Sequence, residues 1–161
     1  MKSVARLASV AAFATSLAAA PAGATMITYV VPLSGANEVP AGSGDPDGTG
    51  TATLMLDDVA NTISWSISVA NLDPVILDHI HSAPAGVNGP VVIDFSGMLV
   101  GGPIVDPDVA AVVANPSAFY VNVHTELFTA GAIRGQVPEP ATALLFAVGM
   151  LGLAAAGRRA R

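Results

Sequence analysis

The chain has 161 residues, no cysteine and a formal net charge of −6. Residues 25–140 hold one cation, Arg134, against all twelve acidic residues, a formal net charge of −11. So acidic a region repels phosphate backbones, which excludes nucleic-acid binding, and without cysteine the fold depends on packing unless a metal contributes. About 110 residues between the two basic ends are enough for one domain with a modest core.

The first 24 residues are predicted to be a signal peptide. Lys2 and Arg6 precede an almost uninterrupted apolar stretch, and Ala22 and Ala24 fit the A-x-A pattern that signal peptidase recognises. We therefore expect cleavage after Ala24 and export of the remainder of the chain.

Short runs of alternating apolar and polar residues, separated by turn residues, follow the leader. The clearest is TISWSISVA, which places Ile63, Trp65 and Ile67 on one face and serines on the other, so Trp65 is expected at the centre of the core. Asn88 and Gly89 are expected to form a hairpin turn. The patterns predict seven strands, at residues 27–33, 49–56, 63–70, 77–82, 91–95, 119–124 and 132–137.

One segment, DPDVAAVVANP, has helical rather than strand spacing. Asp106 stands at a cap position, Pro107 at the first helical position, and Val109, Val112 and Val113 recur at helical intervals. We expect a short helix there. Together with the seven strands it predicts an all-β fold, an antiparallel immunoglobulin-like sandwich.

The stretch DPDGTG resembles the opening of a calcium-binding loop. An EF-hand requires a Glu at the twelfth position, and counting from Asp45 that position is Leu56, so this loop is not an EF-hand. Weak calcium binding by Asp45 and Asp47 is one interpretation. A plain turn is the other, because Asp, Pro and Gly favour turns.

The tail also carries a targeting pattern. Pro138, Glu139 and Pro140 precede an apolar segment, residues 141–157, which as a helix would span about 25 Å. An arginine cluster ends the chain, which indicates a transmembrane helix with a basic cytoplasmic end. The tail resembles a PEP-CTERM sorting signal, which covers residues 137–161 here. That resemblance implies a Gram-negative host, transient insertion in the inner membrane, and processing near the motif by a membrane-embedded exosortase. The chain would then lie at the cell surface or in the extracellular matrix.

Four stretches between these ends match one family in order and spacing. LSGANEVP, GTGTATLMLD, HIHSAPAGVNGPVV and YVNVHTELFTAGAIRGQV resemble the CHRD domain, named for chordin, over residues 25–136. The resemblance implies an immunoglobulin-type β sandwich distantly similar to copper/zinc superoxide dismutases, with no settled activity. Two positions depart from the family pattern, Ala83 in place of Gly and Ala132 in place of Glu. The second removes a carboxylate from the neighbourhood of His124 and Arg134.

All three histidines lie in the motifs of that resemblance. In a strand, His79 and His81 project from the same face, about 6.6 Å apart along the chain. If the strand ending at His124 is a neighbour, three imidazoles converge and can bind copper or zinc. The alternative is structural, with the histidines bonded to backbone carbonyls and to Asn122.

Arg134 and Glu38 are predicted to belong to an internal polar network. As the lone cation of the acidic region, Arg134 is expected to pair with Glu38 or with a loop carbonyl, although it could also bind an anion. Asn122 is expected on the same side as His124.

No catalytic motif is present: there is no nucleophile elbow, no cysteine and no phosphate-binding loop. The sequence therefore predicts an exported, non-enzymatic CHRD module that binds an exopolysaccharide or a matrix protein. A copper- or zinc-binding domain is the alternative, and a dismutase-like enzyme, suggested only by the distant similarity, comes third.

Overall fold

The computed structural model describes residues 26–140. The predicted signal peptide, the predicted membrane helix at residues 141–157 and the arginine cluster lie outside the described residues. Within residues 26–140, no helix combines the length and the apolar character needed to cross a membrane. The elements are β1 Met26–Ser34, β2 Thr49–Asp57, β3 Thr62–Ala70, β4 Val75–Ser82, β5 Val91–Asp94, β6 Val100–Val105, α1 Val109–Ala114, β7 Phe119–Thr125 and β8 Ile133–Gln136.

The eight strands form one antiparallel sheet in the order β5-β4-β7-β8-β1-β2-β3-β6, which curves into a half-barrel. The prediction of an all-β, antiparallel fold with one short helix is confirmed. The predicted count of seven strands is wrong, because β6 is an eighth strand that the alternation pattern does not predict. The two sheets expected of a sandwich are one continuous sheet here.

Strand β6 was missed because its sequence, VGGPIV, reads as a loop. It pairs with β3 at the edge of the sheet, where proline is tolerated because one side of the strand needs no ladder partner. Gly101 is also required, since a Cβ at this position would lie 2.4 Å from the ring of Trp65. The glycines thus allow the strand to lie close against the tryptophan.

The halves of the sheet meet where β1 pairs with β8. The ladder there consists of a single residue pair, Ser34 with Arg134. Gly135 makes the close approach possible, because a Cβ on it would lie 2.2 Å from the carbonyl oxygen of Pro32. Only glycine fits between the two backbones at this point.

The core lies between the halves of the curved sheet. The alternation in β3 is confirmed, with Ile63, Trp65 and Ile67 all buried. Trp65 stacks on Phe95, with ring centroids 4.3 Å apart and planes inclined by 14°. The short helix α1 begins at Val109, with Asp108 rather than Asp106 at its N-cap, and covers one side of the core.

The connection between β4 and β5 differs from the predicted tight turn. The strands form an antiparallel hairpin, but the loop spans residues 83–90 and turns at Ala85 and Gly86. Asn88 instead donates from its side chain to the carbonyl oxygen of Val39, 2.9 Å away. The asparagine therefore ties the loop to the segment that follows β1.

Strand β7 and residues 78–81 of β4 are buried on both faces. Every residue of β7 is buried: Phe119, Val121 and Val123 belong to the apolar core, while Tyr120 and the other even-numbered residues point to the opposite face. There the loops at residues 83–90 and 126–131 cover the sheet with carbonyl groups that bond to His81 and His124, and Glu38 of the loop at residues 35–48 bonds to Asn122. The result is a buried polar layer outside the hydrophobic core.

Candidate metal centre

The three histidines meet in this polar layer. Strands β4 and β7 are neighbours, with His79 opposite Asn122 and His81 opposite Tyr120. His124 follows two residues after Asn122 and lies on the same face of β7. One ring nitrogen from each of His79, His81 and His124 lies within 4.8 Å of the others. The closest approach joins His79 Nδ1 and His124 Nε2 at 3.3 Å. The predicted convergence of three imidazoles is therefore the observed arrangement.

The other ring nitrogens contact oxygen acceptors. His81 Nδ1 lies 3.0 Å from the carbonyl oxygen of Gly89, and His124 Nδ1 lies 3.0 Å from that of Thr129. Because a carbonyl accepts but cannot donate, both rings carry their proton on Nδ1 and leave Nε2 with a free lone pair. His79 Nε2 lies 3.6 Å from a carboxylate oxygen of Asp94. Acceptors on the far nitrogen orient metal-binding histidines in the same way.

The environment keeps these imidazoles neutral. The three residues are only 7–8% exposed, and burial lowers the pKa of all three imidazoles. His124 further lowers the pKa of the other two, while Asp94 and the Gly89 carbonyl act in the opposite direction on His79 and His81. Neutral imidazole is the form that binds metal ions. His81 Nε2 is buried and has no hydrogen-bond partner among the described residues.

Arg134 lies in the same layer, on the far side of Tyr120. Its guanidinium carbon is 3.4 Å from the centre of the Tyr120 ring. It donates to the carbonyl oxygens of Pro84 and Val87, at 3.4 and 2.8 Å, and to the side-chain oxygen of Asn88 at 3.1 Å. Arg134 therefore contacts loop carbonyls, one of the two pairings considered for it.

Glu38 is buried close to Asn122. A Cβ on Gly131 would lie 2.7 Å from both carboxylate oxygens of Glu38 and 2.8 Å from the amide nitrogen of Asn122. Burial raises the pKa of Glu38 to about 7, against opposing effects of the Arg134 charge, the Val39 amide and Asn122. The carboxyl group of Glu38, which lies at the end of the polar layer, therefore exchanges its proton near neutral pH.

Comparison with known families agrees with this architecture. The model of the CHRD domain family matches residues 29–137, about two thirds of the chain. This protein belongs to the CHRD domain family. The PEP-CTERM protein-sorting motif matches residues 136–160. Such a motif indicates an exported protein of a Gram-negative bacterium, located at the cell surface or outside the cell and processed by an exosortase-type enzyme. Neither a curated protein nor a solved structure matches the chain.

The Pro-Glu-Pro part of the sorting motif, residues 138–140, follows the last residue that the CHRD family model matches. Val137 is still buried in the core, whereas Pro138 and Glu139 are exposed. The motif is therefore accessible immediately beyond the last strand, while most of the tail that follows it lies outside the described residues.

In the loop at residues 45–50, for which calcium binding was one interpretation, Asp45 stabilises a turn of the backbone. One carboxylate oxygen of Asp45 accepts hydrogen bonds from the backbone N–H groups of Asp47 and Gly48, both at 3.0 Å. Asp45 is buried, whereas Asp47 is exposed. This geometry is that of an Asx turn. Calcium binding by the pair stays a prediction.

Two residues beside the histidines were not assigned to the site from the sequence. Asp94 reaches His79 because the two are paired across β4 and β5. Tyr120 stacks on His81, with ring centroids 4.8 Å apart and planes inclined by 5°. The sequence does indicate the position of Tyr120, because its spacing of four residues from His124 puts both on one face of a strand.

Proposed function

We propose that this exported CHRD domain binds one copper or zinc ion through His79, His81 and His124 and acts as a non-catalytic module. The observation that supports it best is the orientation of the rings. Each presents one nitrogen to a common point and the other to an oxygen acceptor. Imidazole suits both copper and zinc, and the fold offers these ions no thiolate.

The spacing of the nitrogens also fits an ion. Two imidazole nitrogens bound to zinc at about 2.0–2.1 Å with a tetrahedral angle lie about 3.3 Å apart. His79 Nδ1 and His124 Nε2 have this separation already. The widest separation in the cluster is at most 4.8 Å, so a closing movement of His81 on the order of 1 Å would complete the set.

Burial of the site supports retention of an ion rather than catalysis. All three histidines are buried, and the loops above them bond to two of the rings. A catalytic metal needs an open coordination position that a substrate can reach. A dismutase-like activity therefore ranks below a binding role.

The test is calorimetric titration of the full-length chain, in mild detergent, with Zn²⁺ and with Cu²⁺. The proposal expects one ion per chain with sub-micromolar affinity and a loss of at least 100-fold in His81→Ala. Asp58→Asn, which changes an exposed carboxylate, should bind as the wild type does. The proposal would be wrong if all three proteins bound the ions equally, weakly and without a fixed stoichiometry. Such binding would come from the acidic surface.

A second proposal concerns partners outside the cell. The outer surface of β2 and β3 carries a shallow depression lined by Thr49, Thr51 and Ser68, which offers hydroxyl groups and no charge. This surface supports binding of a neutral exopolysaccharide, reached after cleavage by signal peptidase and transit through the inner membrane. Retention on immobilised polysaccharide from the host matrix, lost in Thr51→Lys, is the expected result. Equal retention of both proteins would remove this surface from consideration.

A further inference from the structure

We infer that Arg134 is a positioning residue for the metal centre, acting on His81 through Tyr120 and through the loop at residues 83–90. The inference rests on the proposed function, since it concerns how one of the three ligands is oriented. It assigns a purpose to the sole cation of the acidic region.

Burial of Arg134 needs a reason, because a charged group is costly to remove from water. The residue is 2% exposed, and its hydrogen bonds go to neutral acceptors, two carbonyl oxygens and an amide oxygen. Neutral acceptors compensate a buried charge less well than a carboxylate does. The burial is therefore explained by what the guanidinium contacts: its plane lies over the Tyr120 ring, and its N–H groups bind the loop at residues 83–90.

The first route from Arg134 to His81 passes through the Tyr120 ring. Strand β7 lies between β4 and β8, so His81 and Arg134 approach Tyr120 from opposite sides. The imidazole is nearly parallel to the phenol ring, and the guanidinium lies 3.4 Å from the ring centre. Cation–π attraction and stacking fix the ring between them, which limits rotation of the imidazole about its χ angles.

The second route passes through the loop. Arg134 holds the carbonyl groups of Pro84 and Val87 and the side chain of Asn88. The next residue, Gly89, accepts a hydrogen bond from His81 Nδ1 and donates its N–H to the Tyr120 hydroxyl at 3.3 Å. The loop thus carries the carbonyl that fixes the tautomer of His81, and Arg134 fixes the loop.

Loss of Arg134 should weaken the metal site without touching a ligand. Groups that orient metal-binding histidines typically change affinity by about 10- to 100-fold. We expect Arg134→Gln to lower the affinity for Cu²⁺ within that range. Asn88→Ala removes one of the three contacts between Arg134 and the loop, together with the Asn88 bond to the Val39 carbonyl, and leaves the buried charge in place. It should have a smaller effect in the same direction.

The experiment measures Cu²⁺ affinity of the full-length chain by competition with a chelator, for Arg134→Gln alone and combined with His81→Ala or His79→Ala. If Arg134 acts through His81, its substitution costs at least tenfold in the wild-type and His79→Ala backgrounds and less than threefold with His81→Ala. Asn37→Ala, which loses a bond to the Arg134 carbonyl oxygen, is the matched control and should bind as the wild type does.

Three results would overturn the inference. An equal loss in all backgrounds would make Arg134 a general structural residue, and no loss in a chain that binds copper would leave it without effect on the site. A wild-type chain that binds no copper would remove the proposed function and this inference together. Should Arg134→Gln fail to fold, Asn88→Ala in the same three backgrounds decides between the first two results.

Discussion

His79 Nδ1 lies 3.3 Å from His124 Nε2. His124 donates its Nδ1–H to the Thr129 carbonyl oxygen, so its Nε2 carries a lone pair toward His79. If His79 donates from Nδ1, its own Nε2 lone pair faces the Asp94 carboxylate at 3.6 Å. If His79 is protonated on Nε2 instead, two lone pairs face each other. One repulsive contact persists in either tautomer, and a bound cation removes it.

A metal ion should therefore stabilise the fold. At a free Zn²⁺ concentration 100 times the dissociation constant, binding adds about 2.7 kcal/mol to the free energy of unfolding. For a domain of this size the melting temperature should rise by about 10 °C, measured by circular dichroism. His124→Gln, which removes one ligand, should show no such rise. A chelator should reverse the shift in the wild type, and an equal shift in both proteins would contradict the site.

Asp94 should strengthen the site from outside it. Its side chain is 59% exposed, so Asp94→Asn should change the free energy of unfolding by no more than about 0.5 kcal/mol. The asparagine keeps an oxygen to accept the Ser96 N–H but loses the charge that faces His79. We expect Zn²⁺ affinity to fall about tenfold, measured by chelator competition. Asp58→Asn is the control for net charge, and an equal fall there would assign the effect to the acidic surface.

The sequence predicted those parts of the site that depend on local periodicity. Alternation along a strand places His79 and His81 on one face and buries Trp65, and both features are observed. The contact between His79 and Asp94 could not be predicted, because it depends on the register of β4 and β5. That register shifts between Ile80 and His81, and no local pattern reveals such a bulge.

Strand β6 and the junction between β1 and β8 could not be predicted for a related reason. The glycines and the proline of β6 predict a loop. The need for glycine at position 101 becomes clear only from the structure, where the residue lies against Trp65 of the neighbouring strand. The single Ser34–Arg134 pair that joins the two halves of the sheet is a tertiary contact with no sequence signature. The contact between Arg134 and the loop at residues 83–90 could not be predicted either, because the two are far apart in the sequence.

Acid should weaken the domain through its histidines. Their pKa values are lowered in the folded chain, so below the ordinary value of 6.5 the unfolded chain binds more protons. The stability contributed by these groups is full above pH 6.5 and falls as the pH drops, by about 1.4 kcal/mol per pH unit for each proton. Denaturant titrations of the metal-free chain from pH 5 to 7.5 measure the net slope, to which Glu38 and Asp78 contribute in the opposite direction because burial raises their pKa values to about 7 and about 6. His81→Gln should reduce it, and an unchanged slope would contradict burial of neutral His81.

Glu38 should have the opposite pH dependence. Its pKa is about 7 in the folded chain against 4.5 ordinarily, so the folded chain binds more protons between these values. Its contribution is full below pH 4.5 and is lost as the pH rises through 7. Glu38→Gln should remove this loss and stabilise the chain at pH 8 by on the order of 1 kcal/mol, after allowance for solvent screening. The measurement is denaturant unfolding at pH 5 and pH 8. Glu126→Gln, an exposed control, should leave the difference between the two pH values unchanged.

The junction between β1 and β8 should be the point at which the sheet tolerates least change. Adding a methyl group at Gly135 would bring a carbon to 2.2 Å from the Pro32 carbonyl oxygen, next to the single Ser34–Arg134 pair that joins the two strands. Overpacking of this kind costs about 1–3 kcal/mol. Gly135→Ala should lower the midpoint of urea unfolding accordingly with an unchanged slope. Ser66→Ala, on an exposed face of β3, should stay within about 0.5 kcal/mol of the wild type. If Gly135→Ala matched that control, the two halves of the sheet would not be in close contact there, and Arg134 would lack the rigid strand from which it holds the loop.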